Sequence, residues 1–247
     1  MQTVAIYSLK GGVGKTTLAV SLAWAAATRS ARRTLLWDLD PQSAASFLLG
    51  AEPRGKSAAQ AVFAKDVDPI KLIRPTGTPR LDLLPADASL RGLDRFLYGL
   101  GKKKRLAKLI DRIGRDYDRI VLDAPPGLTE TSEQVLRAAD LIIVPVIPSP
   151  LSRRALDEVV AFLDGNGIRR GPILPVYNMV DRRRSLHRAA LEACPDWPVV
   201  PMASAFEAMS AAGDRTGRLP PASPAAAALL DLWTRVERRL TRPSKSG

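Results

Sequence analysis

The sequence predicts an α/β fold: a single doubly wound, mostly parallel sheet flanked by helices. Three observations predict it. Apolar runs alternate with helix-like stretches along the chain. Several of those runs are continuously apolar, as strands of a parallel sheet covered on both faces should be. The first run leads through a glycine-rich loop into an alanine-rich helical stretch, the way a doubly wound domain begins. Strands are predicted at 4–8, 34–37, 81–84, 119–122, 141–146, 173–177 and 199–201. Helices are predicted at 16–29, 103–113, 132–139, 152–163, 185–193 and 225–240, the last one capped by Ser223 with Pro224 in its first turn. Residues 51–79, with scattered Pro, Gly and Lys, read as a loop holding one short helix. One domain is expected over 1–241, with 242–247 as a flexible tail.

The loop is the most informative segment. Lys10-Gly11-Gly12-Val13-Gly14-Lys15-Thr16-Thr17 places backbone N–H groups and a helix N-terminus around one point, which is a phosphate site. Lys15 is expected to reach the β- and γ-phosphates of a nucleotide, and the Thr16 hydroxyl to ligate Mg2+. The usual Gly-x-x-x-x-Gly-Lys-Ser/Thr pattern fails at one place, because Leu9 stands where its first glycine belongs. A second lysine, Lys10, stands beside the Gly-Gly pair instead.

Two strand ends supply carboxylates. Asp38 and Asp40 close the second strand in Asp38-Leu39-Asp40-Pro41-Gln42. In a P-loop fold, carboxylates there hold the waters of the metal or orient the attacking water. Asp123, in Arg119-Ile120-Val121-Leu122-Asp123-Ala124-Pro125-Pro126-Gly127, takes the Walker B position on the metal side. The Pro-Pro-Gly after it reads as a rigid turn beside the phosphates.

Together these elements resemble the ParA/MinD family of deviant Walker ATPases, in its short form. The loop with its extra lysine is similar to the family's signature, 38–42 to its switch I, and 123–126 to its Walker B and switch II. The resemblance implies an ATPase that binds ATP and Mg2+ and closes into an ATP-bound homodimer. In that dimer Lys10 contacts the partner's phosphates, Lys15 and Thr16 act in cis, Asp40 positions water and Asp123 supports the metal. Gly11, Gly12, Val13, Gly14 and Thr17 complete the nucleotide cradle. It further implies non-specific DNA as the matrix, a ParB-like or other cargo adaptor that stimulates hydrolysis, and a cytoplasmic, nucleoid-associated location. Members with an operator-binding extension carry it before the P-loop, so operator-specific repression is not expected. The chain departs from the family's Asp-Pro-Gln-Gly-Asn at Ser43-Ala44, losing the freedom of glycine at 43.

Later segments carry weaker signals. Asn178 ends the strand 173–177 and reads either as an adenine contact or as a turn cap, with the loop 201–205 opposite. Arg182, Arg183, Arg184 and Arg188 follow directly, and Arg215 and Arg218 are expected to extend the same basic surface towards DNA. His187 reads as a surface residue. Lys102-Lys103-Lys104-Arg105 is a second basic run, remote in sequence.

Bulk properties limit the alternatives. The formal charge is +12, from 37 basic and 25 acidic residues. Residues 168–247 hold 13 Lys/Arg against 7 Asp/Glu, half of the excess, which favours a polyanionic partner. A lone cysteine, Cys194, offers neither a disulfide nor a cluster ligand set, against an iron–sulfur reductase. No tyrosine lies beyond Tyr177, against a tyrosine kinase of this class. An amide-forming synthetase is the remaining metabolic alternative. The other alternative is a MinD-like, membrane-cycling ATPase. Leu229, Trp233, Val236 and Leu240 recur at helical spacing among arginines, a pattern that serves a membrane surface or a final core helix equally. Position at the end of the fold favours the core, so membrane attachment is not expected.

Overall fold

The computed structural model describes residues 1–51, 58–101, 104–168, 171–211, 218–220 and 222–241. Eight strands form one sheet in the order β3-β4-β2-β5-β1-β6-β7-β8. Their ranges are β1 Gln2–Ile6, β2 Thr34–Asp38, β3 Arg74–Pro75, β4 Leu81–Leu84, β5 Arg119–Asp123, β6 Leu141–Val146, β7 Ile173–Val180 and β8 Val199–Pro201. Every pairing is parallel except β3 with β4. β2, β5 and β6 are buried along their whole length, which is why they read as unbroken apolar runs.

Two apolar layers cover the sheet. On one face lie α1 (Lys15–Arg29), α2 (Ala44–Leu48), α10 (Ser204–Ala211) and α11 (Pro224–Thr241). Alanines 19, 23, 25, 26 and 27 let α1 sit close against the strands. The other face is covered by α3 (Ala58–Ala64), α5 (Leu93–Leu100), α6 (Arg105–Ile113), α7 (Glu130–Ala138), α8 (Pro150–Gly165) and α9 (Ser185–Ala193). The stretch read as a loop with one helix holds two short helices, α3 and α4 (Pro69–Leu72), and the edge strand β3. α2, α5 and α10 escaped the sequence reading because they are short.

The final helix settles its own ambiguity. Leu229, Trp233, Val236 and Leu240 are all buried against the sheet, and Trp233 Nε1 donates to Ser30 Oγ at 2.8 Å. The apolar stripe of this helix therefore serves the core. Among the described residues, no helix is long and apolar enough to cross a membrane. The tail 242–247 lies outside the described residues. At the opposite pole of the strands, Glu237 on α11 binds both Arg119 and Arg32, at 2.7 and 2.8 Å, tying α11 to β5 and to the turn before β2.

Trp233→Ala should cost about 3–5 kcal/mol, the usual range for emptying a buried tryptophan site. Urea denaturation of the parent and the variant reads that difference directly.

Candidate functional site: a phosphate loop facing two buried carboxylates

β1 lies between β5 and β6, so its carboxyl end opens at the centre of the sheet, where doubly wound folds hold ligands. Residues 8–14 leave β1 and enter α1 through a turn that needs positive φ at Gly12 (72°) and Gly14 (83°). Gly14 has a second reason to be glycine: a Cβ there would stand 2.5 Å from Asn178 Nδ2. No side chain caps α1, and its first-turn N–H groups have no intrahelical acceptors, so they face the loop's concavity. Lys15 is buried, and its Nζ donates back to the Lys10 carbonyl at 3.3 Å. Burial lowers its pKa, while Asp123 and Asp40 pull it back up. Lys10 is half-buried at the mouth of the loop, its N–H donating to Ser8 Oγ.

Asp38 and Asp123 are register partners at the ends of β2 and β5, and neither is exposed at all. Their surroundings differ sharply. Asp38 accepts hydrogen bonds from Asp40 N at 3.1 Å, Ser46 N at 2.9 Å and Ser46 Oγ at 2.7 Å. Neither oxygen of Asp123 has a hydrogen-bond partner of ordinary geometry, and the Thr16 hydroxyl lies close enough only to lower its pKa in part. Burial raises both carboxyls, Asp38 to about 6 and Asp123 well above its ordinary value, and the Asp38 carboxylate adds to the cost of charging Asp123. Both oxygens of Asp38, expected to serve the metal, are engaged by the switch I segment. The unsatisfied acceptor of the pair is Asp123.

Asp40 is half-buried, and its Oδ1 accepts from Gln42 N at 2.9 Å. Ser43, where the sequence lost a glycine, takes φ 54° and ψ 32°, the left-handed conformation that glycine favours. Tyr7 was not singled out by the sequence, yet it ties the loop after β5 to the site. Its buried hydroxyl donates to the Gly127 carbonyl at 3.0 Å, and burial pushes its pKa up to about 12. Asn178 donates through Nδ2 to the Val13 carbonyl at 2.7 Å, so it braces the loop from β7. Beside it a cavity of about 100 Å³ opens among Thr17, Asn178, Met179, Pro201, Met202 and Phe206. Ala203, in the loop 201–205, lines the same cavity.

The AAA_31 family profile, described as an AAA domain, matches residues 1–166. The sporulation initiation inhibitor protein Soj of Bacillus subtilis is 34% identical over 58% of this chain, which spans 57% of the length of Soj. The chromosome partitioning protein ParA of Caulobacter vibrioides is 30% identical over 75% of this chain and 72% of its own. This chain belongs to the ParA family. Among solved structures, the cobyrinic acid a,c-diamide synthase of Mycobacterium smegmatis with bound ATP analogue and magnesium superposes with a TM-score of 0.81. It is 27% identical and is matched over 98% of this chain and 96% of its own.

The ParA fold separates the residues expected to form one basic surface. Arg182, Arg183 and Arg184 form an exposed turn after β7, at the carboxyl end of the sheet. Arg183 is ion-paired with Asp181 at 2.9 Å, which holds that carboxyl down at about 2. Arg188 spends Nη1 on the carbonyls of Arg182 and Arg183 and so braces the turn. Arg218 lines a cleft with Trp24 and Arg29 at the far end of α1. Arg215, Lys102 and Lys103 lie outside the described residues. Arg105 leaves the second basic run entirely: it is buried and donates to the Phe63 carbonyl. His187 is buried too, not a surface residue, and its Nδ1 accepts from Asp181 N at 3.0 Å.

Ser43→Gly removes a left-handed strain of about 1–2 kcal/mol, offset in part by the greater freedom of glycine in the unfolded chain. The net gain should be about 0.5–1 kcal/mol, read as a rise in melting temperature of about 1–4 °C for a chain of this size.

Proposed function

We propose that this chain is an ATP-hydrolysing switch of the ParA type that partitions or positions a cargo along DNA. The observation that carries the reading is the pairing of the Lys10/Lys15 loop with a wholly buried, unsatisfied carboxylate, Asp123. Burying such a group without a partner is costly, so a permanent absence of a cation there has no structural rationale. No cluster of three His, Cys, Asp or Glu side chains among the described residues could hold a metal unaided. That fits Mg2+, which takes one or two protein oxygens and completes its shell with phosphates and water.

In this reading Thr16 and Asp123 hold Mg2+, which when bound neutralises charge on the β- and γ-phosphates. The first-turn N–H groups of α1 and the N–H groups of the loop bind the phosphate oxygens, and Lys15 turns from the Lys10 carbonyl to the γ-phosphate. Asn178 and the loop 201–205 flank the base. Asp40 leaves the Gln42 N–H to hold the attacking water. Lys10, at the mouth of the loop, reaches the phosphates of a second copy and makes the ATP-bound homodimer. The dimer then offers Arg182 and Arg184 to DNA phosphates without reading bases. An adaptor on the cargo stimulates hydrolysis and releases the dimer.

The test is binding to a random-sequence DNA duplex with ATP, with ADP and without nucleotide, across a salt series. Binding should require ATP and fall steeply with salt, because each phosphate neutralised releases counterions. Arg182→Ala with Arg184→Ala should weaken it on the order of tenfold or more and flatten the salt dependence. ATP turnover in the same samples should yield ADP and phosphate with no acceptor present, which separates this reading from amide synthesis. Binding that ignores the nucleotide contradicts the proposal.

A further inference from the structure

The switch I segment is held by a residue that the reaction chemistry does not call for. Ser46 lies in α2, a helix of five residues with no side-chain cap at its N-terminus. Its position is fixed instead by the Ser46 side chain, which is buried. Ser46 Oγ donates to Asp38 Oδ2 at 2.7 Å and accepts from Ala86 N, beyond the end of β4, at 3.0 Å. Ser46 N donates to the same Asp38 oxygen at 2.9 Å. The other oxygen of Asp38 receives Asp40 N at 3.1 Å. A continuous chain of hydrogen bonds therefore runs from the segment after β4, through Ser46 and Asp38, to the backbone of Asp40.

We infer that Ser46 is a positioning residue for hydrolysis, acting through Asp38 to set where the Asp40 carboxylate stands. The inference rests on the hydrolytic role proposed above for Asp40. Asp38 is thereby an anchor of the segment rather than a ligand of the site. Asp40 has no other described tie to the sheet: its Oδ1 and its carbonyl serve only the turn itself, accepting from Gln42 N and Ser43 N. Loosening Asp38 frees the one backbone bond that holds Asp40 to β2. The chain of bonds from Ala86 through Ser46 and Asp38 to Asp40 includes none of Lys15, Thr16 and Asp123, which sit on α1 and β5. Ser46 therefore controls the rate of water attack without controlling nucleotide affinity. A misplacement of about 1 Å in a reacting group costs up to about a hundredfold in rate.

Two replacements separate hydrogen bonding from packing. Ser46→Cys keeps the volume but gives a thiol that donates and accepts weakly. Ser46→Thr keeps the hydroxyl. ATP turnover is measured on the full chain with random-sequence DNA present, per site counted by tight nucleotide binding, so an unfolded fraction does not enter the rate. ADP affinity is measured alongside. Ser46→Cys should lower kcat on the order of tenfold to a hundredfold with ADP affinity within about twofold of the parent. Ser46→Thr should return kcat to within about threefold of the parent. A parental kcat in Ser46→Cys overturns the inference, as does a Ser46→Thr variant as slow as the cysteine one, or a loss of ADP affinity that matches the loss of rate. A parent chain that binds ATP and never turns it over overturns the hydrolytic reading itself, a distinct outcome.

Discussion

Two aspartates side by side in the sheet, both wholly shielded from solvent, are the constraint on which the site is built. Parallel register sets Asp38 against Asp123, and the Asp38 carboxylate raises the cost of charging Asp123. The chain resolves the conflict asymmetrically. It surrounds Asp38 with three donors from the switch I segment and leaves Asp123 facing the phosphate loop with none. The first choice couples the shape of switch I to the end of β2. The second makes a cation beside Thr16 and Lys15 the natural complement of the fold. Stability and ligand binding are thus linked through one pair of side chains.

The same linkage sets the direction of the pH response without nucleotide. Both folded carboxyls lie above their unfolded values, so the folded state holds more protons through that window. Their contribution is favourable below the unfolded pKa, about 4, and is lost as pH rises, through about 6 for Asp38, with Asp123 shifted in the same direction. A cation at the site removes this penalty, because it stabilises the charged form that burial opposes.

How much of this was legible in the residues follows from how local each feature is. The seven principal strands and the six longer helices are written in apolar runs of sufficient length, and the loop 8–17 announces its conformation through Gly12 and Gly14. Asp123 could be placed from its strand. What could not be read is which of two neighbouring aspartates is satisfied, because that depends on Ser46 and Ala86, which meet only when β2 and β4 pair. Tyr7 and Asn178 act over 120 and 165 residues of sequence, beyond any periodic signal. Arg105 is committed to Phe63, 42 residues away, and Arg183 and Arg188 to near neighbours, and sequence alone does not reveal such commitments. The stripe on α11 was ambiguous because a core face and a membrane face have the same period.

Thermal denaturation of the parent and of Asp123→Asn, each with and without ATP plus Mg2+, tests the central claim most directly. Asparagine keeps the shape of the side chain and removes the buried charge. Without nucleotide at neutral pH the variant should melt above the parent, and on adding ATP with Mg2+ only the parent should gain a clear further increase. A variant that melts below the parent, and that gains as much from ATP with Mg2+ as the parent does, would contradict the account.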